Sequence, residues 1–220
     1  MRKQINYSKK IVIKPWGQEY LVYQNKNVAL WHLLIKKNEM TSFHCHPLKK
    51  TGFLLLEGQI EIDLGFYEKK ILKAPDKLMI RPGLFHKTRA INGDAKIIEI
   101  ENPVNKSDLV RFSDSYGRKK KPYEGINKMV RISNKEIKSQ KNFKNKNCFR
   151  MNSLKMKIFE QKKVFLKKRL KNGIFTILEG GLYFKEKCIL GPGDIVRKNI
   201  FEKLSKVFEP KKKIKYLLIF

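Results

Sequence analysis

At 220 residues and 41% hydrophobic content, the chain can bury one large core or two modest ones, which excludes a disordered protein. No apolar run approaches the roughly 18–20 residues that a membrane span needs. The net charge of +30 would suit polyanions, but 41 of the 50 basic residues are lysine and only 9 are arginine, spread along the chain, which argues against a specific nucleic-acid reader and for a solvated surface.

The N-terminus, MRKQINYSKKIVIKPWG, has charge but no apolar stretch of the kind a secretory signal carries. Three scattered cysteines (Cys45, Cys148 and Cys188) predict reduced thiols, and the chain is expected in the cytoplasm. Short apolar runs follow: ALWHLLI at 29–35, GFLLLEG at 52–58, QIEIDLGF at 59–66, KLMIRP at 77–82 and AKIIEIEN at 95–102. Each ends near a Gly, Pro or Asn turn, which predicts strands of an antiparallel sandwich or jelly roll. Residues 119–148, rich in Lys and Asn, read as a linker, with a helix or two expected within 134–171.

The chain also repeats itself. FLLLEG at 53–58 is answered by FTILEG at 175–180, and KKILKAPDKLMI at 69–80 by EKCILGPGDIVR at 186–197. Asp76 and Asp194 take equivalent places, and the offset falls from 122 to 118, so the second copy has the shorter hairpin. Two matches in the same order predict a duplicated all-β domain: a first unit at 1–118, the linker, and a second unit at 149–220.

All four histidines lie in the first copy. His44 and His46 stand two apart in SFHCHP, so on a strand they share a face. His86 follows a Pro-Gly turn in RPGLFH, and a folded sheet could bring all three together as ligands of a divalent transition metal. His32 alternates with Trp31 and is not expected as a ligand. Cys45 points away from its histidine neighbours.

His44-Cys45-His46, then GFLLLEG, then APDKLMIRPGLFH resemble the two motifs of the cupin superfamily. More narrowly, Lys14-Pro15-Trp16-Gly17 and DLVRFSDSYGR at 108–118 resemble the ends of the cupin domain in type II mannose-6-phosphate isomerases, so the likeness spans 14–118. The resemblance implies a double-stranded β-helix (a jelly-roll cupin barrel), duplicated here as a bicupin whose second copy lacks histidines. It implies a metal on His44, His46 and His86, and a small-molecule sugar phosphate as partner. The activity implied is aldose–ketose isomerisation, and a homodimer is compatible with it. One position departs from the pattern: Thr51 stands where the family carries a metal-binding Glu.

Glu99 and Glu101, on alternate positions of IIEIEN, are candidate replacement carboxylates, with Glu99 the candidate base. The phosphate would meet cations near the motifs: Lys49, Lys50, Arg81, Lys87, Arg89 and Arg118. Two other readings use the same residues. One is a non-catalytic cupin that binds a sugar or sugar nucleotide, and the other is a three-histidine iron oxygenase.

Overall fold

The computed structural model describes residues 5–145, 148–161 and 173–220. They form an antiparallel β architecture with two α-helices. None of these helices is long and apolar enough to cross a membrane.

Two long strands organise the first half: β5 (Lys50–Leu64) and β8 (His86–Asn102), paired along almost their whole length. On its other edge β5 meets β7 (Asp76–Ile80) through Thr51–Leu55 and β6 (Glu68–Lys73) through Gln59–Leu64. From β8 the sheet continues through β3 (Ala29–Ile35), β2 (Gly17–Gln24) and β1 (Lys10–Lys14). The opposite flank carries β4 (Phe43–Cys45) and the edge strand β9 (Val110–Ser113).

Alternation sorts the side chains by face. Trp31, Leu33, Phe53, Leu55 and Ile97 point into one core inside the curled sheet. Leu30, Leu54, Leu56, Ile98 and Ile100 point outwards into a second core. Both faces of β5 over 53–56 and of β8 over 97–101 are therefore buried, which is why these stretches read as near-continuous apolar runs. Their polar exceptions, Glu99 and Glu101, lie on the inner face.

The outer face is covered by the second half. Its open five-stranded sheet runs β11 (Cys148–Met151), β12 (Leu154–Gln161), β17 (Ile214–Ile219), β13 (Ile174–Glu179) and β16 (Ile195–Arg197). Met156, Ile174, Leu178, Leu217 and Ile219 pack on the first half, while Phe175, Tyr216 and Leu218 face a third core with Phe201 of helix α2 (Lys198–Leu204). A separate hairpin, β14 (Leu182–Phe184) with β15 (Lys187–Leu190), completes this half. Each half also lends a charge to the other, Lys50 to Asp194 and Arg197 to Asp76, both at 2.7 Å.

The stretch expected as a linker carries ordered elements. A short 3-10 turn (Ile126–Lys128) leads into β10 (Met129–Arg131), which pairs with β1, and α1 (Asn134–Asn145) follows. Among the described residues, the helix expected within 134–171 is found only over α1. Residues 154–161 are a strand instead, because pairing with β17 along six registered positions outweighs their weak helical period. Residues 162–171 of that expectation lie outside the described residues.

Candidate metal centre

The three histidines meet because β4 lies against the start of β8, with His44 directly opposite His86. His46 follows two residues later on the same face. Ring centroids are 4.4 Å apart for His44–His86, 5.0 Å for His44–His46 and 5.6 Å for His46–His86. One ligand nitrogen from each lies within 4.8 Å of the others, and among the described residues no carboxylate joins them at that spacing.

Each ring is oriented by a backbone carbonyl. Nδ1–H of His44 donates to Ser42 O at 2.7 Å, that of His46 to Asp108 O at 2.6 Å, and that of His86 to Leu84 O at 3.0 Å. With Nδ1 carrying the hydrogen, Nε2 is left as a bare acceptor, and Nε2 of His46 and of His86 is buried with no partner. Burial, together with the neighbouring imidazoles, drives His44 well below the usual imidazole range. Burial first, and nearby Lys49, take His46 down to about 3. His86 falls to about 4, again through burial. Three neutral imidazoles with converging free lone pairs, fixed from behind by carbonyls, fit a divalent transition metal.

Asp108 anchors this arrangement at the other end. Besides its carbonyl bond to His46, its carboxylate accepts the backbone N–H of Leu48 and of Lys49, the latter at 2.8 Å. The turn after the histidines is thereby tied to the motif that begins at 108.

Beside the histidines lies a cavity of about 60 Å³ crowded with charge. Glu99 and Glu101 enter from β8, Glu19 from β2, Lys14 from β1, and Lys49, Lys106, Arg111 and Arg118 complete the lining with Tyr123. Lys49 Nζ lies 2.8 Å and Lys106 Nζ 3.1 Å from the same oxygen of Glu101. Lys106 also reaches Glu19 at 3.3 Å and sits 3.8 Å over the Trp31 ring. Lys14 pairs with Glu124, which Arg118 holds at 2.8 Å, and Tyr123 donates its hydroxyl to Glu19.

The two carboxylates of β8 are pushed apart. Burial dominates at Glu99 and, helped by the negative charge of Glu101 and Glu19, carries it up to about 7. Burial would raise Glu101 too, but the ammonium groups of Lys106 and Lys49 overcome it and hold that carboxyl below its usual range. A cavity thus holds one carboxyl poised near neutrality and another kept ionised.

The remaining sequence candidates sort by location. Lys49, Glu99 and Arg118 line the cavity. Lys50 faces Asp194, Lys87 pairs with Asp63 at 2.8 Å, Arg81 is exposed at the turn before His86, and Arg89 lies further along β8, so none of these four is in the lining. Glu19, Lys106, Arg111 and Tyr123 were not singled out in the sequence. Arg111 lies in the DLVRF motif. Lys106 and Tyr123 stand in irregular stretches with no pattern to mark them. A wider surface groove of about 560 Å³ adjoins the cavity, sharing Lys14, Arg118 and Tyr123 and adding Lys121 and Lys128.

No protein-family model matches the chain. Over 48 residues it is 42% identical to the uncharacterized protein YdbB of Bacillus subtilis (strain 168), a match covering 22% of this chain and 42% of that protein. The chain therefore spans less than half the length of this curated relative. Among solved structures it is similar to KdgF from Halomonas sp., at TM-score 0.40 and 18% identity over 42% of this chain and 85% of that one. It is similar also to a protein with a double-stranded β-helix domain from Klebsiella pneumoniae subsp. pneumoniae MGH 78578, at TM-score 0.41 and 15% identity over 50% and 85% of the two chains. A third is the Schizosaccharomyces pombe Cnp3 cupin domain, at TM-score 0.38 and 10% identity over 40% and 64%.

Proposed function

We propose that the chain is a metal-binding cupin that acts on a sugar phosphate by aldose–ketose isomerisation. The observation that carries this reading is the trio of imidazoles, each with Nδ1 on a carbonyl, beside a cavity that holds a near-neutral carboxyl. His44, His46 and His86 would hold the metal, and its charge would polarise the sugar carbonyl. Glu99, raised to about 7 by burial, would take the proton from the hydroxyl-bearing carbon beside that carbonyl and deliver it to the carbonyl carbon, while the hydroxyl proton passes to the carbonyl oxygen, so that the C=O and C–OH exchange places. Its burial keeps competing water away from the transferred proton.

The small cavity suits only the reacting end of the substrate. The adjoining groove is within the size range of small-molecule sites, and its basic residues suit the phosphate, with Arg118 at the junction. Lys49 supplies a second cation inside the cavity. A second reading, a cupin that binds a sugar or sugar nucleotide without turnover, is favoured by Thr51 in place of the expected carboxylate.

The test has two stages. Elemental analysis of tag-free protein should find a single transition metal per chain, lost in His44→Ala. The loaded protein should then interconvert mannose 6-phosphate and fructose 6-phosphate, with Glu99→Gln at least about 100-fold slower. Metal without turnover would leave the binding reading, and no metal after reconstitution would sink the isomerase reading and leave a sugar-binding cupin without a metal.

A further inference from the structure

We propose that Glu101 supplies the fourth metal ligand that position 51 lacks, and that Lys49 holds its place until a metal arrives. This rests on the three histidines being a metal site and adds a ligand to it.

The register carries the first step. Thr51 on β5 stands directly opposite Glu101 on β8, so the two side chains project from the same face as cross-strand neighbours. Directly opposed positions place their Cβ atoms about 4.5–5.5 Å apart. A carboxylate moved from 51 to 101 is displaced by one strand, on the face that carries the cavity. A Glu at both positions would set like charges side by side, which destabilises a sheet. Threonine is a compatible neighbour, and its buried hydroxyl has no partner.

The carboxylate is half engaged. Glu101 is 1% exposed, and one of its oxygens takes both Lys49 and Lys106. The other oxygen is buried without any partner. Buried carboxylate oxygens rarely stay unpaired, since the desolvation penalty is then uncompensated.

Lys49 accounts for the gap between this carboxylate and the histidines. Its side chain is fully buried, it shares the cavity lining with His44 and His46, and its ammonium is tied to Glu101. A buried lysine is a monocation on a long flexible stem, in a space where a dication would serve the same carboxylate better. When Lys49 swings away, Lys106 still holds the first oxygen of Glu101 and the second turns to the metal. The released ammonium is then free to meet an anionic ligand.

The experiment is Co²⁺ binding to the full chain, read by competition with a chelator and by the visible d–d absorption that reports coordination. We expect Glu101→Gln to weaken binding by more than the roughly 10–100-fold that losing an outer-shell partner costs, and to change the absorption band. Thr51→Glu in the Glu101→Gln background should recover affinity, because it returns the carboxylate across the strand pair. Lys49→Met should tighten binding. Should Glu101→Gln not fold, by circular dichroism, the Lys49→Met result decides: unchanged or weaker binding overturns the proposal. Equal affinity and an unchanged band in a folded Glu101→Gln would also overturn it, while leaving the three-histidine site in place. Wild-type protein that takes up no more Co²⁺ than His44→Ala would overturn both.

Discussion

His44, His46 and His86 are kept neutral by burial, and that has a cost the metal-free protein must carry. Their folded-state affinities for protons lie below the ordinary imidazole value of 6.5, and His32, buried on the outer face, is likewise lowered to about 4. As pH falls below 6.5 the unfolded chain takes up these protons first, so the stability present above that pH is lost on the way down toward 4. Glu99 runs the other way: its folded value is raised from 4.5 to about 7, so its contribution is full below 4.5 and is lost as pH rises through 7. Four imidazoles oppose one carboxyl, and the net slope between pH 6.5 and 4.5 is downward with acid. Chelator-treated protein should therefore unfold at progressively lower urea over that window. His86→Gln should flatten the dependence by up to about 1.4 kcal/mol per pH unit, one proton's worth. An unchanged slope in that variant would show that His86 is not held neutral by the fold.

At the scale of the element, the turn of β5 sets where the site can form. Gly58 has φ +86°, and a Cβ there would lie 2.4 Å from Asp94 O, so the chain bends here only because the residue is glycine. Gly180, in the matching FTILEG, has φ +72° and would place a Cβ 2.5 Å from Lys213 O. Pairing registers shift beside both glycines, between Leu55 and Gln59 and between Ile177 and Glu179. Replacing either glycine with alanine should cost at least about 1–3 kcal/mol in urea unfolding, and Gly58→Ala should also weaken metal binding by disturbing the β5–β8 pair. A cost at position 58 but none at 180 would mean that the matching motifs are alike in sequence without sharing a strained turn. The positive-φ glycine after each apolar run was legible, because a glycine and the run before it are local. So was the histidine trio, since a two-residue spacing fixes a common face and a Pro-Gly turn starts the next strand. Lys106, Glu19 and Tyr123 were not legible, because irregular loops and a distant strand deliver them to the cavity and no periodicity marks them. The alternation of Glu99 and Glu101 with isoleucine was visible, yet only the pairing register put Glu101 opposite Thr51.

For the whole molecule, the decisive feature is that one core belongs to both halves. Leu54, Leu56, Ile98 and Ile100 cannot be buried without Met156, Leu178, Leu217 and Ile219, and the ion pairs Lys50–Asp194 and Asp76–Arg197 span the same junction. β5 and β8 carry the cavity face on one side and this shared core on the other, so loss of the second half should reach the histidines through the same two strands. Unfolding should then be one cooperative event. The chain carries suitable reporters: both tryptophans, Trp16 and Trp31, are in the first half, and once Cys148→Ser removes the other exposed thiol, Cys188 can take a fluorophore in the second while Cys45 stays buried. Their urea midpoints should coincide. Leu217→Asp, which removes a buried side chain worth about 2–5 kcal/mol and adds an unpaired charge, should lower both midpoints together. Metal added at the histidines should raise both, although the Cys188 label is remote from the site. If Leu217→Asp instead shifts the Cys188 transition and leaves tryptophan where it was, the second half is a passive cover and the metal centre stands on the first half alone.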